Sequence, residues 1–91
     1  MRNIIINTAP TPFGLSPVAC DRYAELTGRE PNVRTIARDD PTLVQILEEL
    51  GTLKASAFLT NLTAVSVPSH ANWVIEIEDG REKVILLEPL S

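Results

Sequence analysis

The segment NWVIEIEDGREKVILLEP, residues 72–89, decides the fold. It consists of two runs in which apolar and charged residues alternate, separated by the dipeptide Asp79-Gly80. This dipeptide is preferred in two-residue type I′ turns, and an alternation with a period of two is typical of strands that bury one face. The segment therefore predicts a β-hairpin in which residue 78 lies opposite 81, 76 opposite 83 and 74 opposite 85.

This register divides the hairpin into two unlike faces. One face carries Glu82 as its only charge, and we expect it to belong to a core. Its apolar members are Trp73, Ile75, Ile77, Val84 and Leu86. The other face places Glu76 opposite Lys83 and Glu78 opposite Arg81, which are pairs of opposite charge that stabilise neighbouring strands.

Two segments upstream have the pattern of amphipathic helices. Residues 17–27 follow Ser16, a good N-cap, and precede Gly28, which suits the residue after a helix end. The segment 41–51 follows Asp40. Whether its helix continues past Gly51 through TLKASAF (52–58) is open, and an end or a kink at Gly51 is favoured. The apolar residues of the segment fall on one face at helical spacing: Leu43, Val44, Ile46, Leu47 and Leu50.

Three further segments have strand character. The β-branched run at 3–7 and the alternating run at 62–68 predict strands, and residues 33–36 are a candidate short edge strand. The element order is then β-α-(β)-α-β-β-β over a single domain, 1–91. Such an order predicts an α+β fold with two amphipathic helices packed on a mainly antiparallel, three- to four-stranded sheet.

Composition limits the classes of function. The 91 residues carry a formal net charge of −4, which disfavours direct binding of nucleic acid and suits a basic protein partner. No apolar run has the ~18–20 residues of a membrane span, so we expect no membrane association. Cys20 is the only cysteine, which excludes an internal disulfide and suits a cytoplasmic location.

No pattern in the chain indicates catalysis. Cys20 and His70 are the only residues of their types, and a small packed side chain and an exposed turn residue account for them. Asp39 and Asp40 have no further carboxylates at the spacing that a metal site needs. We therefore expect no enzymatic activity, no metal and no cofactor.

The carboxylates around the second helix are the strongest candidates for binding. Asp40 precedes Pro41 and is expected to cap the helix, whereas Asp39 has no such role. Glu48 and Glu49 lie near the helix C-terminus, where the helix dipole disfavours negative charge. Because the charges of Glu48 and Glu49 do not stabilise the helix, these side chains either lie on a solvated face or contact a partner.

The chain resembles a group of small proteins encoded by tailed bacteriophages. The similar pieces run through most of the chain in the same order: FGLS (13–16), YAELTG (23–28), RDDPTLV (38–44), EELG (48–51), VP (67–68), WVIEI (73–77) and DGRE (79–82). The segment PSHAN before the tryptophan and the tail VILLEPLS depart from the pattern of that group, in which the link before the tryptophan is more acidic.

The resemblance implies a non-enzymatic phage inhibitor acting in the host cytoplasm. Its partner would be a basic surface of a host nucleic-acid-handling complex, such as a CRISPR–Cas surveillance complex, which an anti-CRISPR protein or a partial DNA mimic would block. A structural or accessory phage protein that acts through self-association is the alternative, although we expect a monomer. The candidate partner-binding residues are Asp39, Glu48, Glu49, Glu76, Glu78 and Asp79.

Overall fold

A computed structural model describes residues 2–87, so the last two residues of the predicted hairpin segment, Glu88 and Pro89, lie outside it. Two helices and four strands are present in this part of the chain. They are β1 (Arg2–Asn7), α1 (Pro17–Thr27), α2 (Pro41–Ala55), β2 (Leu62–Val67), β3 (Asn72–Glu78) and β4 (Arg81–Leu87). The predicted α+β class and the positions of both helices are confirmed.

The strands are antiparallel as expected, but they form two separate pairs, β1–β2 and β3–β4, in place of the one three- to four-stranded sheet predicted from the sequence. On one face of β1–β2, Ile5 and Leu62 pack into a core with both helices. On the other face, Ile4 and Ile6 pack against residues of the β3–β4 hairpin. Because successive side chains of a strand point to opposite faces, the isoleucine run of β1 is buried on both sides, and the molecule has three layers.

The hairpin has the predicted register. Val74 pairs with Ile85, and Glu78 with Arg81, across a turn in which Asp79 has φ 55° and Gly80 has φ 78°. Positive φ at both central positions defines the expected type I′ turn. The apolar face is covered only in part, since Ile77 remains 71% exposed and Leu86 50% exposed.

The charged face of the hairpin differs from the prediction in its ion pairs. Lys83 lies opposite Glu76 in the register, but its ammonium group pairs with Glu78. Diagonal neighbours on one face of a strand pair are within reach of a long side chain. The expected Glu76–Lys83 and Glu78–Arg81 contacts are not formed among the described residues.

The prediction of a short strand at 33–36 is wrong. This segment is a turn, in which the backbone N–H groups of Thr35 and Ile36 donate to the carbonyl oxygen of Asn32 at 3.0 and 2.8 Å. The Asn32 side chain also accepts from Arg34 N at 3.0 Å. An asparagine that bonds the backbone two residues on stabilises a turn in place of a strand.

Both helices begin at the predicted caps. The Ser16 hydroxyl accepts from Ala19 N at 3.1 Å, and Asp40 accepts from Thr42 N at 2.8 Å. Helix α2 contains a kink at Gly51, with φ 78° and ψ 167°, and then continues to Ala55. Of the alternatives at Gly51, the kink is confirmed, and the helix does not end there.

The kink gives a prediction about two glycines. Gly28 and Gly51 both have positive φ and both have open space where a Cβ would lie, but only Gly51 has a φ/ψ pair that is essentially restricted to glycine. We expect Gly28→Ala to lower the free energy of unfolding by about 1 kcal/mol and Gly51→Ala by about 2–3 kcal/mol. Urea unfolding measures both, and equal losses would contradict the kink.

Candidate functional site

A largely buried ion pair joins the layers of the molecule. Arg38, in the connector between the helices, donates to both carboxylate oxygens of Glu82 on β4, at 2.5 and 2.9 Å. The two side chains are 19% and 9% exposed. The guanidinium also lies 3.7 Å from the centre of the Phe13 ring, a cation–π geometry that favours a charge removed from water.

The backbone of β1 takes part in the same cluster. Ile5 N donates to the Arg38 carbonyl oxygen at 2.8 Å, and Asn7 N donates to Glu82 at 2.8 Å. The fully buried Asn7 side chain accepts from Ala9 N and Asn61 N. Burial alone raises the pKa of the Glu82 carboxyl, but the hydrogen bonds from Arg38 and Asn7 outweigh it, so that this pKa lies below its ordinary value. Glu82 is therefore a structural anion.

A groove beside the N-terminal half of α2 holds two of the predicted binding residues. We name it the α2 groove; its volume is about 310 Å³. Its lining residues are Arg2, Asn3, Asp39, Pro41, Val44, Gln45 and Glu48. Positions 41, 44 and 48 share one side of the helix because they are separated by three and four residues. The α2 groove therefore has an apolar strip, Pro41 and Val44, between two carboxylates.

The two carboxylates of the α2 groove are not equivalent. Asp39 pairs with Arg2 at 3.3 Å, with both side chains substantially exposed, and Arg2 also donates to the Ala71 carbonyl oxygen at 3.4 Å. Glu48 is exposed, and none of the ion pairs formed among residues 2–87 involves it. The site can therefore accept a cation at Glu48 directly, and at Asp39 in competition with Arg2.

The other candidate acids lie outside the α2 groove. Glu49 pairs with Arg22 at 2.9 Å, and this contact together with Gln45 lowers the pKa of its carboxyl. Glu76 and Glu78 lie on β3 and Asp79 in the following turn. The pairing with Lys83 lowers the pKa of Glu78. Of the six candidate residues, Asp39 and Glu48 line the α2 groove together.

Asp40 has a second contact besides its capping bond. The Tyr23 hydroxyl donates to its other carboxylate oxygen at 2.8 Å, and this hydrogen bond together with burial raises the pKa of Tyr23. Asp40 therefore caps α2 and ties it to α1. Both of its carboxylate oxygens are engaged within the fold.

Cys20 and His70 occupy the environments expected from the sequence. Cys20 is half-buried on α1, and burial, with Glu30 and Asp21 nearby, raises the pKa of its thiol, which disfavours the nucleophilic thiolate. His70 is exposed in the turn between β2 and β3. Within residues 2–87, no three His, Cys, Asp or Glu side chains converge as metal ligands, and no helix there has the length and apolarity to cross a membrane.

Comparison of this chain with protein-family models, curated proteins and solved structures finds no match. The resemblance to bacteriophage proteins therefore stays a prediction.

The sequence contained a signal for the Arg38–Glu82 pair. Glu82 is the only charge on an otherwise apolar hairpin face, and a charge at such a position requires a partner. The partner itself could not be identified, because Arg38 lies 44 residues away. The same holds for the pairing of Asp39 with Arg2 and of Glu49 with Arg22, which depend on tertiary contacts.

The buried pair gives a stability prediction. Glu82→Ala leaves the largely buried Arg38 guanidinium without its counter-charge, and we expect the free energy of unfolding to fall by about 2–3 kcal/mol, less than for a fully buried pair. The exposed pair of Glu78 with Lys83 is the matched control, and Glu78→Ala should leave the urea midpoint almost unchanged. A double variant, Arg38→Met with Glu82→Leu, should lose less than Glu82→Ala. Equal urea midpoints for Glu82→Ala and Glu78→Ala would show that the Arg38–Glu82 pair does not stabilise the fold.

The lowered pKa of Glu82 predicts a pH dependence. A carboxyl whose pKa is lower in the folded state stabilises the fold above its ordinary pKa of about 4.3, and this contribution is lost as the pH falls through the folded value. We expect the difference in free energy of unfolding between the native chain and Glu82→Gln to be constant from neutral pH down to about 5 and to shrink at lower pH. Urea titrations over this range measure it, and a difference that grows on acidification would contradict the assignment.

Proposed function

We propose that this protein is a phage-encoded, non-enzymatic inhibitor that binds a basic, nucleic-acid-handling surface of a host defence complex. The most specific form of the proposal is an anti-CRISPR protein that blocks a CRISPR–Cas surveillance complex. The observation that carries it is the α2 groove, in which Asp39 and Glu48 flank an apolar strip. The resemblance to bacteriophage proteins supplies the biological setting.

The α2 groove has the chemistry to hold a lysine or arginine side chain of the partner. Such a side chain has a methylene stem, which can pack along Pro41 and Val44, and a charged head, which a carboxylate can accept. Glu48 would take the head, and an arginine could bind it through two parallel hydrogen bonds. Because the Arg2–Asp39 pair is exposed, little free energy is needed to exchange Arg2 for an incoming cation.

The distribution of charge supports partial rather than extensive mimicry of DNA. The net charge of −4 favours approach to a basic surface, but Glu49 and Glu78 are neutralised by Arg22 and Lys83. The attraction would therefore be concentrated on the remaining carboxylates, with Glu48 as the principal one. Association should be steered by electrostatics and should weaken as the salt concentration rises.

The test uses the protein as bait in a lysate from bacteria that carry active CRISPR–Cas and other defence systems, with mass spectrometry of the captured proteins. Affinity for the purified captured complex is then measured with the native chain and with Glu48→Lys. We expect Glu48→Lys to raise Kd at least about tenfold, a change of about 1.4 kcal/mol. Raising the salt from about 50 to about 500 mM should weaken the native complex strongly.

Asp21→Lys is the control variant. Asp21 is exposed on α1, outside the α2 groove, and its reversal changes the net charge by the same amount as Glu48→Lys. A groove contact predicts that Asp21→Lys binds nearly as well as the native chain. Equal losses for both variants would reduce the proposal to general attraction by net charge, and a Kd independent of salt and of Glu48 would refute it.

A further inference from the structure

A cavity of about 440 Å³ lies where three segments of the chain meet. We name it the hairpin cavity, since the tip of the β3–β4 hairpin forms one wall and residues 11–13 and 33–38 form the others. Its walls include Pro12, Phe13, Val33, Arg34, Arg38 and Ile77. A volume of this size is typical of sites for small ligands. The hairpin cavity shares no lining residue with the α2 groove.

Arg38 has hydrogen-bonding capacity beyond its pair with Glu82. A guanidinium presents its N–H donors in one plane, along a terminal edge and a side edge. Nη1 donates to Glu82 and, at 3.4 Å, to the Ile5 carbonyl oxygen, and Nη2 donates once, to Glu82. Nε–H and the second N–H of Nη2 form the side edge, and neither has a further hydrogen bond within residues 2–87. Two parallel donors of this kind match the two oxygens of a carboxylate.

The side edge of Arg38 is open to a ligand. Among the described residues, no buried side-chain nitrogen or oxygen lacks a hydrogen-bond partner. The Nε atom of Arg38 has no partner there, so it is accessible and not buried. The hairpin cavity is the space that Arg38 lines, and a ligand in this cavity can therefore reach the side edge.

The charges around the hairpin cavity favour an anion. Arg34 is exposed, and no ion pair among the described residues includes it. Glu82 is the only acid among the described lining residues, and Arg38 balances its charge. Asp79 and Arg81, on either side of the turn glycine, are exposed and opposite in charge. The cavity is thus locally positive on a protein whose net charge is −4.

The same cavity has apolar walls. Ile77 pairs with Glu82 in the hairpin register, so that both side chains lie on one face of the hairpin. The Glu82 side chain is 9% exposed, whereas Ile77 is 71% exposed. The rest of the fold therefore covers this face as far as Glu82 and leaves Ile77 open. Phe13 and Val33, which are partly buried against the helical core, provide the other apolar walls, and a ligand body placed against them removes apolar surface from water.

We propose that the hairpin cavity binds a small organic carboxylate that has an apolar body. The carboxylate accepts from the side edge of Arg38 and from Arg34. The apolar body packs against Val33, Phe13 and Ile77. Glu82 stays paired at the terminal edge of Arg38, so that binding leaves the ion pair between the layers intact. This site does not depend on the function proposed above.

The probe that tests the proposal is phenylbutyrate, with two matched controls. Phenylbutanol has the same body without the charge, and acetate has the charge without the body. Proton–nitrogen NMR correlation spectra report the Nε–H signal of each arginine during a titration. We expect the Arg38 signal to shift with phenylbutyrate, with a Kd below about 1 mM, and each control to bind at least about tenfold more weakly. Because the ligand binds only the folded chain, Tm should rise with the concentration of phenylbutyrate.

Two variants change the cavity without changing the buried ion pair. Arg34→Gln removes a cation and Ile77→Gln an apolar wall, and each should raise the Kd for phenylbutyrate at least about fivefold. Both side chains are exposed, so we expect both variants to fold, and circular dichroism verifies it. Arg29→Gln is the control, because Arg29 is exposed and lies outside the hairpin cavity. It removes the same charge as Arg34→Gln and should bind phenylbutyrate like the native chain.

Three results would overturn the proposal. A Kd for phenylbutyrate above about 1 mM, or an Arg38 signal that does not shift on binding, would show that the side edge is not a carboxylate site. Binding of phenylbutanol or acetate as tightly as phenylbutyrate would show a purely apolar cavity or a general anion site. Equal Kd values for Arg34→Gln and Arg29→Gln would show that net charge, and not the cavity, attracts the ligand.

Discussion

The ion pair between Arg38 and Glu82 is the contact on which the three layers depend. Arg38 belongs to the connector between the helices, Glu82 to the hairpin, and β1 contributes Ile5 and Asn7 to the same hydrogen-bonded cluster. Two charges removed from water stabilise a fold only when their remaining hydrogen-bonding groups are also satisfied. Here the carboxylate accepts from both Arg38 and Asn7, and the guanidinium stacks on Phe13. The pair therefore fixes the position of the hairpin relative to the rest of the chain.

The position of β1 explains why one pair of charges has such influence. The strand is buried by helices on one face and by the hairpin on the other, so that an error in its register would expose isoleucines and bury polar residues. The cluster around Arg38 engages the backbone of β1 at two residues. The polar cluster therefore adds to the register specificity that the burial of Ile4, Ile5 and Ile6 already provides.

The sequence predicts those features that depend on residues close together in the chain, and it does not predict those that depend on residues far apart. The hairpin register and the caps at Ser16 and Asp40 are local, and each was readable from a few neighbouring residues, whereas at Gly51 the sequence left a helix end and a kink open. The arrangement of four strands as two pairs is not local, since either pair could have continued into one sheet.

The residues of the candidate site were likewise predictable from the sequence only in part. Asp39 and Glu48 were identifiable as acids without a sufficient structural role, but only the fold shows that they share a groove and that Arg22 neutralises Glu49. Leu53 and Phe58 are exposed, and this had no sequence signal, because a helical or loop leucine is equally compatible with a core.

The pairing of β1 with β2 has a consequence for synthesis on the ribosome. Arg2 pairs with Val67, and Asn7 bonds with Glu82, so that β1 is made long before the strands that pair with it and cover it. At about 5–20 residues per second, the isoleucine run leaves the ribosome several seconds before the segments that bury it. Contacts between such distant residues also slow folding, because a long loop must close before they form. The nascent chain therefore carries an unpaired apolar strand until β2 and the hairpin have been made, and it is the completion of the hairpin that permits these layers to pack.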